Sequence, residues 1–433
     1  MRIAVIGSGI GGLSAAWLLS RRHEVVLYEA NDYLGGHTDT HRVEVDGRTL
    51  DVDTGFIVHN PANYPLLTRM FDELGVASQP TTMGFSVQDE RTRLEYNATS
   101  LDALFCQRRN LASPRFWGML RDLVRFYREA PALLELEGPG PTLGEYLDAH
   151  RHGAAFRDQH LVPMASALWS SPSDDVLDFP AKYLVQFMAN HHMLQLSGRP
   201  QWRVVRGGSR RYVDAMAARW DVQVRLSTPV RGVTRDAAGA SVRCDAGSER
   251  YDHVVLACHG DQALALLDDA RDAEREILGA IEYQPNDTVL HTDASLLPRN
   301  RKAWAAWNAH LPADPAQACT VSYCMSLLQD LPGNTPLVVT LNRTEAIDPA
   351  RILRRRSYRH PVYNHASVAA QARRHEIHGV NRTWFAGAYW GWGFHEDGMR
   401  SGVDVARGLG VDWPLAAAMS SDVVSDQAGL VAA

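Results

Sequence analysis

Lysine is almost absent from this sequence of 433 residues. Only Lys182 and Lys302 occur among its 44 basic side chains, and all the others are arginine. A lysine retained in such a composition points to a chemical role, which is considered below for Lys302. The formal net charge is −6, and no long basic tail is present. Both features argue against a protein that binds nucleic acid.

Cysteine is scarce, and long hydrophobic runs are missing. The five cysteines form no C-x-x-C pair; they are Cys106, Cys244, Cys258, Cys319 and Cys324. Such spacing is typical of reduced thiols rather than of a disulfide framework, so a cytoplasmic protein is expected. No apolar run reaches the roughly 18 residues of a membrane-spanning helix. With 45% hydrophobic residues, the chain has enough apolar material for two domains or one large bilobed unit.

The first 29 residues carry a nucleotide-binding pattern. Residues 2–6 predict a buried parallel strand, and residues 7–12 follow it with the spacing G-x-G-x-x-G and open a helix. The glycines permit a tight turn, close approach of a pyrophosphate and tight packing of helix on strand. A second predicted strand, residues 24–28, ends before Glu29, a carboxylate placed to bind a ribose. This spacing favours a nucleotide site over a signal peptide, which a basic residue before an apolar run would otherwise indicate.

Two segments after Glu29 resemble flavoproteins of the amine-oxidase and phytoene-desaturase superfamily. Gly35 and Gly36 match its second glycine motif, in which His37 replaces the usual arginine. Residues 51–60, DVDTGFIVHN, resemble the segment that brings a backbone glycine, here Gly55, beside the flavin ring. The resemblance implies FAD, rather than NAD, as the cofactor.

The C-terminal stretch GAYWGWGFHEDGMRSG follows a predicted strand at residues 383–386. Asp397 can cap a helix whose apolar positions recur every three or four residues until Gly410. The positive end of that helix then points to the nucleotide site, where it stabilises negative charge on a reduced flavin. His395, Glu396 and Asp397 are adjacent, so they do not converge on one metal ion, and no other ligand spacing predicts a metal site.

A basic amphipathic helix is predicted over residues 114–130, PRFWGMLRDLVRFYREA. Its apolar side chains, Phe116, Leu120, Leu123, Val124 and Tyr127, fall near one face. We expect this face to cover the core while the arginines are solvated. The alternative is a helix that lies on an anionic membrane surface as a peripheral contact.

The remaining stretches predict strands and turns. Residues 251–258 read as a buried parallel strand before a new helix at Asp261. The segments TVLHTD, TVSYCM and PLVVTLN predict strands of a second sheet that forms the floor of a pocket. The three arginines at 354–356 predict a solvated turn.

Seven segments distributed over the chain carry a more specific resemblance: GSGIGG, DTGFIVHN, ANYPLL, RRYVDAM, WAAWN, YRHPVYN and GFHEDGMRSG. Through them the chain resembles bacterial FAD-dependent, amine-oxidase-like proteins that are associated with cyclopropane-fatty-acid synthases. They are similar to the N-terminal domain of the plant forms of that synthase. The resemblance implies an α/β fold: a Rossmann-like FAD-binding domain of the amine-oxidase and glutathione-reductase type, with an interleaved α+β substrate domain. It assigns residues 1–64, 200–268 and 376–415 to the first domain, 65–199 and 269–375 to the second, and 416–433 to a tail.

The resemblance and the motifs together assign the cofactor site. The residues expected at FAD are Gly7, Ser8, Gly9, Ile10, Gly11, Gly12, Glu29, Ala30, Gly35, Gly36, His37, Thr38, Thr54, Gly55, Phe56, Val230, Gly387, Ala388, Phe394, His395, Glu396, Asp397, Gly398 and Met399. Residues 383–410 contain no cysteine, so FAD is expected to be bound without a covalent link to that segment. Candidate catalytic residues are Lys302, because many superfamily members hold a water beside the flavin with a lysine, and His395 and Glu396 near the flavin edge.

The sequence departs from true amine oxidases at Ala388, where they generally carry an acidic residue. Trp390, Trp392 and Phe394 instead crowd the turn and suit an apolar substrate. The first hypothesis is therefore an oxidoreductase that oxidises or desaturates an acyl lipid by hydride transfer to flavin N5, with a synthase-like methyltransferase as functional partner. The alternatives are an amine or polyamine oxidase, and a flavin-binding accessory protein without turnover. We expect a cytoplasmic location, with peripheral contact at the inner face of the membrane as a further option.

Overall fold

The computed structural model describes residues 1–169, 173–314 and 317–413. The predicted tail, residues 416–433, lies outside this part of the chain. The strands are β1 (Arg2–Ile6), β2 (Glu24–Tyr28), β3 (Thr40–Val45), β4 (Arg48–Asp53), β5 (Val58–His59), β6 (Ser78–Pro80), β7 (Phe85–Asp89), β8 (Leu94–Asn97), β9 (Arg203–Val205), β10 (Val222–Arg225), β11 (Val230–Asp236), β12 (Gly239–Cys244), β13 (Gly247–Tyr251), β14 (His253–Leu256), β15 (Tyr283–His291), β16 (Trp307–Leu311), β17 (Thr320–Cys324), β18 (Val338–Leu341), β19 (Ile352–Pro361) and β20 (Thr383–Phe385).

The α-helices are distributed unevenly among these strands, and seven of them follow one another between β8 and β9. They are α1 (Ile10–Leu19), α2 (Pro65–Leu74), α3 (Leu101–Leu104), α4 (Pro114–Glu129), α5 (Leu143–Ala149), α6 (Ala154–Phe156), α7 (Val162–Trp169), α8 (Ser173–Leu177), α9 (Ala181–Asn190), α10 (Arg210–Ala217), α11 (Gly260–Leu266), α12 (Asp272–Gly279), α13 (Met325–Leu328), α14 (His365–Ala372) and α15 (His395–Gly408). A π-helical turn, Arg157–Leu161, joins α6 to α7. Among the described residues, no helix is both long and apolar enough to cross a bilayer.

A parallel sheet of five strands, in the order β10-β2-β1-β14-β20, lies at the centre of one half of the molecule. Its inner strands are continuous apolar runs because both faces are covered. Ile3 and Val5 of β1 face a core formed with helices α1, α2 and α15. Ala4 and Ile6 face the opposite layer, which contains the antiparallel sheet β11-β12-β13 and helices α11 and α12. The Rossmann-like prediction for this half is confirmed.

The other half contains a mixed sheet of seven strands, in the order β19-β15-β18-β17-β16-β7-β8. Strands β15, β17 and β18 are the ones predicted from TVLHTD, TVSYCM and PLVVTLN. A layer of helices from α4 to α9 packs against the β7, β8 and β16 end of this sheet. The strands of the two sheets fall within the two sets of ranges predicted for the FAD-binding and substrate domains.

Three local predictions need correction. Helix α2 lies beyond the predicted boundary at residue 64, yet Leu67 and Phe71 pack in the core of the parallel sheet. Residues 354–356 are not a turn but part of β19, an edge strand whose side chains alternate between two faces. Helix α4 buries Phe116 as predicted, but Val124 is 50% exposed because it falls on the opposite face.

Candidate active site

The loop between β1 and α1 leaves open space where the motif predicts a pyrophosphate. Gly7 has φ +103°, a conformation that side chains rarely adopt, and a Cβ there would lie 2.7 Å from the Ala257 carbonyl oxygen. A Cβ on Gly12 would lie 2.0 Å from the Gly7 carbonyl oxygen, so this glycine lets helix and strand approach. A Cβ on Gly9 would meet no heavy atom within 4 Å. The loop is thus tight on its protein side and open toward the cavity.

Glu29 is oriented at the carboxyl end of β2 by four donors. The backbone N–H and the hydroxyl of Ser8 donate to its Oε2, at 2.9 and 2.5 Å. The backbone and side-chain N–H groups of Asn31 donate to its Oε1, both at 2.9 Å. The carboxylate lines the cavity, in the position that a ribose-binding acid requires.

His37, which replaces the arginine of the second glycine motif, belongs to a cluster of aromatic rings on the cavity wall. It stacks on Tyr358 at 4.9 Å and lies 5.3 Å from His360 and 6.0 Å from His259, between ring centroids. Burial and the neighbouring imidazoles hold the pKa of His37 well below its usual range, so the ring is neutral. His37 Nε2 and His259 Nδ1 are buried without a protein partner. Such atoms fit a cofactor that supplies the missing hydrogen bonds.

His395 lies at the first turn of α15 and stacks on Phe56 at 3.7 Å. Its Nε2 is 3.0 Å from both the Thr38 hydroxyl and the Tyr212 hydroxyl. Burial lowers the pKa of His395 to about 3, so the imidazole is neutral. Phe394 and His395 line the cavity, and the N-terminal end of α15 therefore faces the predicted flavin region.

Glu396 and Asp397 serve the backbone instead of the cavity. Glu396 accepts hydrogen bonds from the N–H groups of Leu66 and Leu67, at 2.9 and 3.0 Å, and so caps helix α2. Asp397 accepts a hydrogen bond from the Phe394 N–H at 3.0 Å, which caps α15 from its third residue. Neither carboxylate lines the cavity. The predicted catalytic role of Glu396 therefore has no support in the structure.

Lys302 is also remote from the chemistry predicted for it. Its side chain is 58% exposed, and Nζ lies 3.0 Å from an Asp102 carboxylate oxygen. It does not line the cavity. The structure does not support the prediction that Lys302 holds a water beside the flavin. The lysine instead forms an ion pair at the surface.

Seventeen of the predicted cofactor residues line one cavity. They are Gly7, Ser8, Gly9, Ile10, Gly11, Glu29, Ala30, Gly36, His37, Thr54, Gly55, Phe56, Val230, Gly387, Ala388, Phe394 and His395. The others, Gly12, Gly35, Thr38, Glu396, Asp397, Gly398 and Met399, lie behind this surface and shape it. The cavity has a volume of about 1640 Å³. That exceeds the roughly 300–1,000 Å³ of usual ligand pockets, and it leaves room for a second ligand beside a dinucleotide.

Beyond the nucleotide end, the cavity continues as an apolar arm. We define the arm by Leu123, Tyr127, His160, Met164, Leu168, Trp169, Phe187, His191, Met193, Leu196, Arg199, Trp202, Tyr363, Trp392 and Phe394. The acidic residues among the described lining are Glu29 and Asp32, and both lie at the nucleotide end after β2. Arg199 is the charged member of the arm, and it interacts with the Tyr127 hydroxyl. The arm therefore offers apolar surface and no negative charge among the described residues.

His160 is a functional candidate that sequence reasoning missed. It lies in the π-helical turn between α6 and α7, a distortion that is frequent at functional sites. The Tyr96 hydroxyl lies 2.8 Å from both the Gln159 carbonyl oxygen and His160 Nδ1. Because the carbonyl can only accept, the tyrosine proton goes to it, and His160 Nδ1–H must donate to the tyrosine oxygen. His160 Nε2 is then a bare acceptor, buried and without a protein partner.

The arrangement of phosphate loop, ribose-binding acid and capped C-terminal helix agrees with one family. Residues 10–292 match the profile of the family Flavin containing amine oxidoreductase. The chain belongs to this family. The flavin amine oxidoreductases use FAD, which is therefore the cofactor of this enzyme. Among the described residues, no group of His, Cys, Asp and Glu side chains has an arrangement that could hold a metal ion.

Known flavin amine oxidoreductases resemble the chain in sequence and in fold. A protein assigned as a flavin-containing monoamine oxidase of Mycobacterium tuberculosis is 28% identical over 265 residues, which are 59% of this chain and 56% of that protein. The chain thus spans about half the length of the curated relatives it matches. A wild-type putrescine oxidase has a similar fold, with a TM-score of 0.69, 15% identity and coverage of 94% of this chain and 99% of that one. A fatty acid isomerase from P. acnes has a TM-score of 0.65, 16% identity and coverage of 94% and 98%.

Proposed function

We propose that this flavin amine oxidoreductase oxidises a long apolar acyl chain rather than an amine. The observation that carries the proposal is the apolar arm, whose described lining holds no carboxylate. An alkylamine is a cation at neutral pH, and burying a cation without a paired carboxylate costs free energy. An acyl chain needs only apolar surface, which the arm supplies.

The protein's own residues hold the two ligands in fixed relation. Glu29 and the glycine loop bind the ribose and pyrophosphate of FAD, while His37 and His259 supply polar atoms along the wall between them. Trp392 and Phe394 stand between the flavin region and the arm, where they exclude water from the reacting carbon. Bound FAD supplies the two-electron acceptor for the oxidation.

The two histidines beside the reaction region have different roles in this proposal. His395 Nε2 faces two hydroxyls, so His395 positions Phe56 and the helix end. His160 Nε2 is free to accept a hydrogen bond. A substrate with a hydroxyl or another donor partway along its chain would satisfy this atom.

Two further observations bear on the alternatives. The fatty acid isomerase with the same fold acts on an acyl chain, as its name states, which supports an acyl substrate in this architecture. The described lining of the arm holds an arginine and no carboxylate, which gives an amine or polyamine oxidase less support than the fold alone does. A methyltransferase that modifies the same lipid remains the proposed functional partner.

The decisive experiment is anaerobic mixing of the FAD-loaded enzyme with free fatty acids, phospholipids and amines while flavin absorbance is recorded. We expect bleaching by acyl substrates and none by putrescine or benzylamine. Bleaching by amines alone would overturn the proposal in favour of an amine oxidase. Failure of every compound would instead favour the accessory protein without turnover.

A charge placed in the arm sharpens this test. Leu168→Glu puts a carboxylate on the arm wall of α7, whereas Leu327→Glu puts the same group on an exposed position of α13. We expect the first variant to lose acyl-dependent bleaching at least tenfold, because a buried charge disfavours the apolar chain. The second variant should match the wild type. Equal behaviour of both variants would show that the arm does not bind the substrate.

A further inference from the structure

Helix α4 has an inner side that lines the arm and an outer side that is exposed. Leu123 and Tyr127 line the apolar arm from within. On the outer side, Trp117, Arg121, Val124 and Arg128 follow one another at intervals of four, three and four residues. They therefore form one stripe along the helix, and all four are exposed. Trp117 is 49% exposed and Val124 is 50% exposed, although large apolar side chains are usually buried.

Two exposed leucines lie in the segment before helix α4. Leu111, whose carbonyl accepts a hydrogen bond from the Trp117 indole at 2.9 Å, is 51% exposed, and Leu101 is 76% exposed. We call the surface formed by Leu111, Trp117, Arg121, Val124 and Arg128 the α4 face. Residues 101–129 contain six arginines, two aspartates and one glutamate, whereas the chain as a whole has a net charge of −6. Arg128 lies 2.8 Å from a Glu129 carboxylate oxygen, and Arg121 lies 3.7 Å from an Asp122 carboxylate oxygen. The α4 face is thus basic on an acidic protein.

Helix α4 also borders the arm, through Leu123 and Tyr127. Leu196 is 71% exposed and also lines the cavity, so it lies where the arm meets the surface. Arg199 lines the same end and interacts with Tyr127 of α4. Helix α4 therefore carries the wall of the arm on its inner side and the α4 face on its outer side.

We propose that the α4 face docks on an anionic lipid bilayer and sets the opening of the arm against the acyl-chain region. Arginines attract anionic headgroups, and an exposed tryptophan with aliphatic neighbours inserts at the boundary between headgroups and acyl chains. An anionic bilayer attracts the basic α4 face and repels the rest of this acidic protein. This distribution of charge favours docking through the α4 face. The docking deepens the proposed function, since it explains how a poorly soluble acyl chain reaches the arm.

The test is cosedimentation of the FAD-loaded protein with vesicles. We expect binding to an equimolar mixture of phosphatidylcholine and phosphatidylglycerol, weak binding to phosphatidylcholine alone, and loss of binding as salt is raised. Arg121→Gln with Arg128→Gln should lower the partition coefficient roughly tenfold or more, since each arginine near an anionic surface contributes roughly fivefold. Arg354→Gln with Arg355→Gln removes the same charge from exposed positions of β19 and should bind as the wild type does.

The apolar contribution is tested separately with Trp117→Ser, which should weaken binding, and Trp117→Phe, which should restore most of it. Leu327→Ser removes an exposed leucine elsewhere and should have no effect. Equal binding to both vesicle types, or no binding to either, would overturn the proposal. So would a dimer in solution that the α4-face variants abolish without any vesicle effect. If vesicles bind but no acyl compound bleaches the flavin, the docking stands while the proposed function fails.

Discussion

At the scale of single residues, the Glu29 carboxylate is oriented before any ligand binds. Its four donors come from Ser8 in the loop after β1 and from Asn31 after β2, so it joins the two motifs that the spacing of the first 31 residues predicts. A preorganised carboxylate loses little entropy when a ribose hydroxyl binds.

We expect Glu29→Ala to raise the dissociation constant of FAD by about 10- to 100-fold, since a hydrogen bond to a charged group contributes about 1.5–3 kcal/mol. The dissociation constant is measured from the quenching of flavin fluorescence as FAD is added to the apoprotein. Glu44→Ala changes an exposed glutamate of β3 and is the control. Unchanged affinity in Glu29→Ala would remove this residue from the cofactor site.

Glu396 makes the stability of the folded protein depend on pH. Burial raises the pKa of Glu396 to about 7, against the opposing effect of the Leu66 and Leu67 N–H groups. The unfolded chain loses this proton near its ordinary pKa of 4.5, so between about pH 4.5 and 7 the folded state binds more protons and stability falls as pH rises.

Glu396→Gln removes this titration. We expect the stability of the wild type relative to the variant to fall by about 3 kcal/mol between pH 4.5 and pH 8, measured by urea unfolding of the FAD-saturated proteins. Glu44→Gln should show no such trend. A difference that is constant with pH would contradict the raised pKa.

Residues 395–397 show that neighbours in the sequence can face different parts of the structure. The sequence places His395 and Glu396 together at the flavin edge, and the structure separates them. Successive residues of a helix point about 100° apart, so when His395 faces the cavity, Glu396 must face α2. The helix and its polarity were predictable, but its rotation depends on the packing of α2 and α1 against it.

At the scale of elements, the crossing of α1 and α15 depends on glycine. A Cβ on Gly402 would lie 2.0 Å from the Ser14 hydroxyl oxygen and 2.5 Å from the Gly11 carbonyl oxygen. The two helices therefore touch backbone to backbone, directly behind the phosphate loop.

We expect Gly402→Ala to lower the free energy of unfolding by about 3 kcal/mol through overpacking and to weaken FAD retention. Gly118→Ala is the matched change in α4, where a Cβ would meet nothing within 4 Å. It should raise stability by about 0.5–1 kcal/mol, because alanine favours a helix over glycine. Thermal unfolding compares them, and equal effects would contradict the close crossing.

The elements that the sequence predicts best are those with a strong local pattern. Strands β1, β2 and β14 are apolar runs bounded by glycine or charge, and each lies where its pattern indicates. The arginines at 354–356 mislead because β19 is an edge strand, whose exposed side chains look like those of a turn. The prediction that Val124 lies on the buried face of α4 was wrong because this helix has apolar side chains on both of its faces.

At the scale of the whole molecule, the cavity draws on both halves. Glycine motifs reveal its nucleotide end from sequence, since each motif follows a strand of the parallel sheet. The arm comes from residues 123–202 and 363–394, which carry no comparable motif, so His160, His191 and Arg199 became candidates only when the fold brought them together. Lys302 is the opposite case: it was predicted for the site and lies outside it. The rarity of a residue type in the composition does not indicate where that residue lies in the fold.

A shared cavity predicts coupled unfolding. FAD binds the folded protein, so saturation at about 100 times the dissociation constant should add about 2.7 kcal/mol and raise the melting temperature by about 3 °C. Differential scanning calorimetry of apoprotein and FAD-loaded protein should show one transition that shifts as a unit. Two transitions, of which only one responds to FAD, would show that the halves unfold independently.

The order of strands in the parallel sheet carries a consequence for biosynthesis. Strand β20 completes the sheet at one edge, and α15, which follows it, supplies the wall behind the phosphate loop. Both lie beyond residue 380, whereas the loop they complete precedes α1 at residue 10. The nascent chain therefore carries an unfinished cofactor site until β20 and α15 have been synthesised, and capture of FAD has to follow that step.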